Sequence, residues 1–379
     1  MHFVRGLSVL ALSFVSVAAQ AAVPIPKAPE IAARSFILID HHSGRVLAEQ
    51  RADERMEPAS LTKLMTAYAV FVALKEGRLK LDDQVTISER AWRAEGSRTF
   101  VQVGTQVPAD VLIQGMIVQS GNDATIALAE RLAGTEEAFA QLMNEYARRL
   151  GMKNSSFDNS AGMPSRNHYT SARDIATLSS AILSEFPEYY RWYSQREFTW
   201  NKIRQPNRNG LLARDPTVDG IKTGHTETAG YCLATSANRN GMRLVSVVMG
   251  APTWKGREDA SAALLNYGYT FYETVKVKGR GETVLKPRVY KSAEEIAAIG
   301  PQRDVYVTVG RGEAASLRTA AQLAEPLIAP LPAGKSVGEL IVTAAGGEIV
   351  ARAQLAPLAP VAEGGWWTRL TDSVALWLQ

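Results

Sequence analysis

The chain has 379 residues, 46% of them hydrophobic and 21% charged, enough to bury a full core and to build two domains. Its formal net charge of +4 is mild, and no block of basic residues carries interleaved aromatics, so nucleic acid is excluded as an indicated partner. A single cysteine, Cys232, excludes an intramolecular disulfide, and its apolar setting marks it as a buried small hydrophobe.

In chain order, Arg5 precedes an apolar run over 7–17, and Ala19-Gln20-Ala21 supplies a small-residue cleavage site. The run is too short to span a bilayer, so residues 1–21 read as an export signal and the mature chain as working outside the cytoplasm. Strands are expected over 34–39 and 45–50 around the turn His41-His42-Ser43-Gly44. Without H-x-x-H spacing, the two histidines read as a solvated turn and not as a metal site. A helix is expected over 60–75, where Leu61, Leu64, Met65, Tyr68 and Val72 recur at helical spacing. A mostly helical block follows to Phe186, with apolar helices over 111–118, 124–132 and 175–183. Strand signals return over 218–223, 230–237 and 244–249, the last two joined through Asn240-Gly241, a dipeptide that favours a tight hairpin. A helix over 257–272 closes the region. Strands at both ends of a helical block imply one antiparallel sheet covered by helices, an α/β (α+β) domain over 22–275.

Composition shifts after Val275. Residues 276–281 read as a polar linker, and 283–360 shows short alternating runs that suit a small all-β sandwich. In 364–379, Trp366, Trp367, Leu370, Val374, Trp377 and Leu378 recur at helical spacing. This reads as an amphipathic helix anchoring the protein on a membrane surface, the alternative being a terminal helix packed on the β domain. Arg369 and Asp372 nearly cancel, so apolar burial rather than charge would drive such anchoring.

Three short strings carry the chemistry: Ser60-Leu61-Thr62-Lys63, Ser120-Gly121-Asn122 and Lys222-Thr223-Gly224. Ser60 precedes an apolar helix, where a serine is also an ordinary N-cap. Lys63 lies one turn on and on the same face, placed to take the Ser60 proton if burial or a second cation lowers its pKa. The backbone N–H groups of a helix start suit a developing oxyanion. Ser120 followed by Asp123 also matches a capping box. Read functionally, Ser120 passes a proton to a leaving amine, and Asn122 holds Lys63 and a substrate carbonyl. Lys222 is either a protective edge-strand lysine or the second cation beside Lys63. Thr223 is suited to a substrate carboxylate, Gly224 lets a substrate backbone lie close, and the His225 N–H is placed to complete an oxyanion hole.

The order of these strings, with serines 60 positions apart and Lys222 another 102 on, resembles the serine penicillin-binding proteins and β-lactamases. The chain is similar, more narrowly, to the low-molecular-mass D-alanyl-D-alanine carboxypeptidases. The strings at 58–65, 119–124, 207–211 and 219–226, with Ala229-Gly230-Tyr231 and Lys255-Gly256-Arg257-Glu258, carry that resemblance. It covers nearly the whole mature chain, including the β domain and terminal segment.

The resemblance implies a β-lactamase/transpeptidase-like fold. Ser60 would form an acyl-enzyme with the penultimate D-alanine of peptidoglycan stem peptides, with Lys63 as base and Ser120 with Lys222 as proton relay. Thr223 and Arg257 would hold the terminal carboxylate. It further implies no metal or organic cofactor, covalent inhibition by β-lactams, and location on the periplasmic side of the bacterial inner membrane. Ala161-Gly162 departs from relatives that carry histidine before this glycine. A true β-lactamase is disfavoured because 159–170 contains no Asp or Glu to activate a deacylating water. Transpeptidase or endopeptidase action differs only in acceptor or donor. A catalytically dead cell-wall scaffold conflicts with the intact motif residues.

Overall fold

The computed structural model describes residues 24–378, and the expected export signal at 1–21 lies outside them. Five antiparallel strands form the main sheet: β1 (Ser35–Asp40), β2 (Val46–Gln50), β3 (Val218–Thr226), β4 (Gly230–Arg239) and β5 (Met242–Ala251). Their order is β2-β1-β5-β4-β3, so the N-terminal hairpin pairs with strands some 200 residues later, Ile37 lying opposite Val247. β3 is an edge strand, paired on one side only, with β4.

The two-residue pleat sorts the sheet's side chains into two cores. Ile37, Ile39, Val245 and Val247 face the helical block, while Phe36, Leu38, Leu244 and Val248 face a single long helix. The helical block contains α1 (Lys63–Lys75), α2 (Asn122–Ala133), α3 (Glu136–Arg149) and α4 (Ala172–Glu185). α1 is buried on nearly every face, as an element apolar all round must be. On the other side lies α5 (Trp254–Phe271), which begins three residues before the expected start because the Thr253 hydroxyl caps it, accepting from Gly256 N–H at 2.9 Å. A short strand pair, 84–86 with 106–108, interrupts the block that sequence periodicity marked as helical, and a short hairpin at 197–206 follows it.

The expected linker at 276–281 is corrected. Lys276 and Lys278 belong to a strand, β6 (Tyr272–Lys278), which continues directly from α5 and pairs with β8 (Val305–Gly310). Its polar composition serves exposed ion pairs, Lys276 with Asp304 and Lys278 with Glu282. The rest of the β domain is a four-stranded sheet built from β7 (Ile299–Pro301), β9 (Arg318–Leu323), β10 (Gly338–Thr343) and β11 (Ile349–Pro357) in the order β7-β11-β10-β9. Val307, Val309 and Val342 pack between the two sheets.

The turn at 41–44 leaves His42 and Gly44 exposed, as expected, but it also makes contacts that the sequence did not announce. Ser43 Oγ lies 2.6 Å from Thr308 Oγ1, Arg45 donates to the Thr308 carbonyl at 2.6 Å, and Thr274 donates to the buried Asp40 carboxylate at 2.7 Å. His42 stacks on Tyr306 with centroids 4.6 Å apart. Burial first, then the neighbouring His42 and Arg243, pushes His41 down to about 4. The turn is therefore the joint between the two domains.

The terminal segment forms α6 (Trp366–Trp377). Buried Asp372 ties it to the β domain, accepting from Arg288 Nη2 at 3.0 Å and from the Lys291 N–H. Trp366, Trp367, Leu370, Val374 and Trp377 remain exposed. Among the described residues no helix is long and apolar enough to cross a membrane.

Candidate active site

Ser60 sits in a tight helical turn, Ala59–Thr62, that leads into α1. It is not an N-cap. Its Oγ instead accepts from Lys63 Nζ at 3.0 Å. Lys63, the first residue of α1, is 1% exposed and donates a second bond to the Ala161 carbonyl at 2.7 Å. The loop carrying Ala161 passes so close behind Ser60 that only glycine fits next to it. Gly162 has φ of +92°, and a Cβ there would stand 1.9 Å from the Ala59 oxygen.

Ser120 ends a widened helical turn, Gly115–Gln119, in the left-handed region (φ 66°, ψ 32°). Such a backbone costs a non-glycine residue about 1–2 kcal/mol. The capping-box reading fails: Gly121 is the N-cap of α2 and makes no side-chain cap. The Asp123 carboxylate serves the neighbouring chain, accepting from the N–H groups of Thr99 and Phe100, both at 2.8 Å. The strained turn aims Ser120 Oγ at Lys222 Nζ, 2.8 Å away on β3. Lys222 is 3% exposed and also donates to the Thr223 carbonyl at 3.2 Å.

Two serine–lysine pairs from three distant segments thus converge on one cleft of about 720 Å³. Ser60, Ser120, Thr223, Gly224, His225 and Arg257 line it, with the two lysines buried behind them. Burial is the main force on Lys63, with Arg208 second, and brings it down to about 7 against the opposing pull of Asp123 and Glu136. Lys222 is held well below its ordinary value by burial and then by Lys63, Arg208 and Arg257. Lys63 and Lys222 are like charges whose mutual repulsion disfavours the charged form of both, and Arg208 adds to it at each.

Other expected contacts also change. Asn122 makes no hydrogen bond to Lys63: its amide nitrogen donates to the Glu95 carbonyl at 2.6 Å, and its buried Oδ1 has no hydrogen-bond partner among the described residues. Gly224 lines the cleft, but its missing side chain would point at the Ser60 turn, 3.0 Å from the Pro58 oxygen. Glycine is needed there because β3 packs against the turn that carries Ser60. Arg257 is 5% exposed, donates to the carbonyls of Gly224 and Cys232, and lies over the rings of Tyr231 and Trp254. The His225 ring stacks on Tyr231 at 4.0 Å between centroids.

Sequence reasoning gave no role to Arg208, Tyr231 or Trp254 of the cleft wall, or to His168 beneath it. Arg208 sat inside the string at 207–211, which signalled the family without signalling a task. His168 Nδ1 accepts from the Asp158 N–H at 2.9 Å, so the proton on Nε2 is donated to Thr62 Oγ1 at 2.7 Å. Burial pushes its pKa down to about 4, keeping the ring neutral.

Residues 22–253 match the D-alanyl-D-alanine carboxypeptidase family model, and 272–363 match the C-terminal domain of penicillin-binding protein 5. The chain is 42% identical over 375 residues to D-alanyl-D-alanine carboxypeptidase DacA of Haemophilus influenzae, covering 97% of this chain and 95% of that protein. The Escherichia coli DacA is 43% identical over 360 residues, 93% of this chain and 89% of the relative. The crystal structure of penicillin-binding protein 5 from Haemophilus influenzae superposes with a TM-score of 0.84 at 42% identity, over 89% of this chain and 100% of that one. A penicillin-binding protein of Listeria monocytogenes, solved in its ampicillin-bound form, aligns with a TM-score of 0.59 at 30% identity, over 63% of this chain and 98% of its own.

Proposed function

The chain belongs to the D-alanyl-D-alanine carboxypeptidase family, and we propose that Ser60 is its nucleophile, Lys63 the base, and Ser120 with Lys222 the proton relay. It is a serine-type, penicillin-binding carboxypeptidase acting on peptidoglycan. The observation that carries the residue assignment is the convergence of the Ser60–Lys63 and Ser120–Lys222 pairs on one cleft.

In this reading neutral Lys63 takes the Ser60 proton as Oγ attacks the carbonyl carbon of the penultimate D-alanine. The oxyanion faces the backbone N–H groups of Ser60 and His225. Ser120, resupplied through Lys222, protonates the departing D-alanine nitrogen, and water then hydrolyses the ester. Thr223 and Arg257 bind the terminal carboxylate. A β-lactam undergoes the same attack, but its leaving nitrogen stays tethered to the acyl group and remains in the cleft, which favours a persistent ester.

We further propose that the protein is exported and held on the periplasmic face of the inner membrane by α6. The helix is docked by its polar side, through Asp372, and its apolar side faces outward. Mass spectrometry of a pentapeptide stem incubated with the soluble mature protein tests the activity. Loss of one terminal D-alanine is expected from the wild type and none from Ser60→Ala. Cleavage at wild-type rate by that variant would overturn the nucleophile assignment.

A further inference from the structure

We propose that Glu136, outside the three motifs and outside the cleft, is a positioning residue for acylation, holding through Ser160 the Ala161 carbonyl that Lys63 donates to. The inference rests on the assignment of Lys63 as the base. Glu136 is 5% exposed at the start of α3. Its Oε1 accepts from both the backbone N–H of Ser160, at 3.0 Å, and the Ser160 hydroxyl, at 2.6 Å. The Ser160 carbonyl is pinned from the other side by Thr66 Oγ1 at 2.7 Å. The next peptide, 161–162, is held in turn by Asn159 Oδ1, which accepts from the Gly162 N–H at 2.7 Å, and its Ala161 carbonyl takes a Lys63 hydrogen at 2.7 Å. Nζ then stands 3.0 Å from Ser60 Oγ, where the neutral amine can take the hydroxyl proton. Turning the 160–162 segment would turn the Ala161 carbonyl and draw the lysine away from its serine.

Glu136 also places a negative charge inside the molecule. The charged groups that face Lys63 are Lys222 on β3, Arg208 across the cleft, Asp123 on α2, His168 below the loop and Glu136 on α3. The two carboxylates raise the proton affinity of Lys63, and Glu136 is tempered from outside by half-exposed Arg90, whose Nη2 donates to Oε2 at 2.7 Å. Glu136 is not a base for the deacylating water, because its oxygens are spent on Ser160 and Arg90.

The two ends of this chain of contacts make opposite predictions. Glu136→Gln can still accept from Ser160 but loses the charge, so the acidic limb of the penicillin acylation rate is expected to move down by about one pH unit. Arg90→Gln leaves the carboxylate untempered, so the limb is expected to move up. Glu136→Ala, which loses both the geometry and the charge, is expected to acylate about 10- to 100-fold more slowly on the plateau above the limb, without loss of reversible penicillin binding. A purely structural role would lower the melting temperature and leave both limbs unmoved, and that result would overturn the proposal. Should Glu136→Gln not fold, an unmoved limb in Arg90→Gln overturns it alone. If the wild type itself shows no acidic limb, or Lys63→Ala acylates normally, the base assignment fails instead.

Discussion

Lys222 donates from Nζ to Ser120 Oγ at 2.8 Å, joining residues 102 positions apart and giving the second serine its own lysine. The two serines are therefore not equivalent. Ser60→Ala is expected to abolish covalent penicillin labelling and to lower peptide cleavage by about 10³-fold or more. Ser120→Ala, which loses a proton donor but keeps the nucleophile, is expected to slow acylation by about 10²–10⁴-fold while still forming the ester. Stopped acylation assays with a fluorescent penicillin separate the two.

Because Lys63 must be neutral to take a proton, and burial and Arg208 bring it down to about 7, acylation is expected to fall as pH drops below that value. The decline should approach tenfold per pH unit, because the neutral fraction does. A rate flat from pH 5 to 8 would exclude Lys63 as the base.

The motifs were legible because they are local: Ser60 and Lys63 share one turn, and Lys222, Thr223 and Gly224 share one strand. The sheet was legible too, since alternation and the Asn240-Gly241 turn are short-range signals. What stayed hidden depends on the third dimension. Nothing near His41 in sequence announces Thr308 and Tyr306, so a joint between domains read as a solvated turn alone. Nothing in 276–281 announces that its strand partner lies at 305–310. Asn122 was assigned to Lys63 by chemistry alone, and the fold gives its amide to Glu95.

Arg257 lies in the cleft wall beneath Gly224, and its Nε has no hydrogen-bond partner among the described residues. Arg257→Ala is expected to weaken cleavage of a free-carboxylate peptide about 5- to 150-fold, the worth of a charge-assisted pair of about 1–3 kcal/mol. The amide analogue should lose little. Equal losses on both would count against carboxylate recognition.

Acid sensitivity should trace in part to His168. Its folded pKa of about 4 lies below its unfolded value of 6.5, so between these values the unfolded chain binds more protons. Its contribution is complete above pH 6.5 and is lost as pH falls through 4, amounting to about 3 kcal/mol at most. Melting curves from pH 7 to 4 are expected to fall less steeply for His168→Gln than for the wild type. Parallel curves would show that the ring titrates normally.

Deleting residues 364–379 is expected to release active protein from membranes into the soluble fraction. High salt should leave the intact protein bound, because charges in α6 nearly cancel and little attraction remains to screen. A truncated protein that still sediments with membranes would overturn the anchoring role. A soluble but inactive one would assign α6 to the fold.

The strand that carries Lys222 to His225 is the last of its sheet, so a row of main-chain donors and acceptors is left open along the cleft. An open edge is ordinarily an aggregation hazard, since it pairs with any other strand that reaches it. Here the opposite wall, with Asn207 and Arg208, stands across a slot of about 720 Å³. An extended chain end is the kind of partner that pairs with an open edge through its main chain. An edge that would be a hazard elsewhere thus lies here where a peptide's main chain can pair with it.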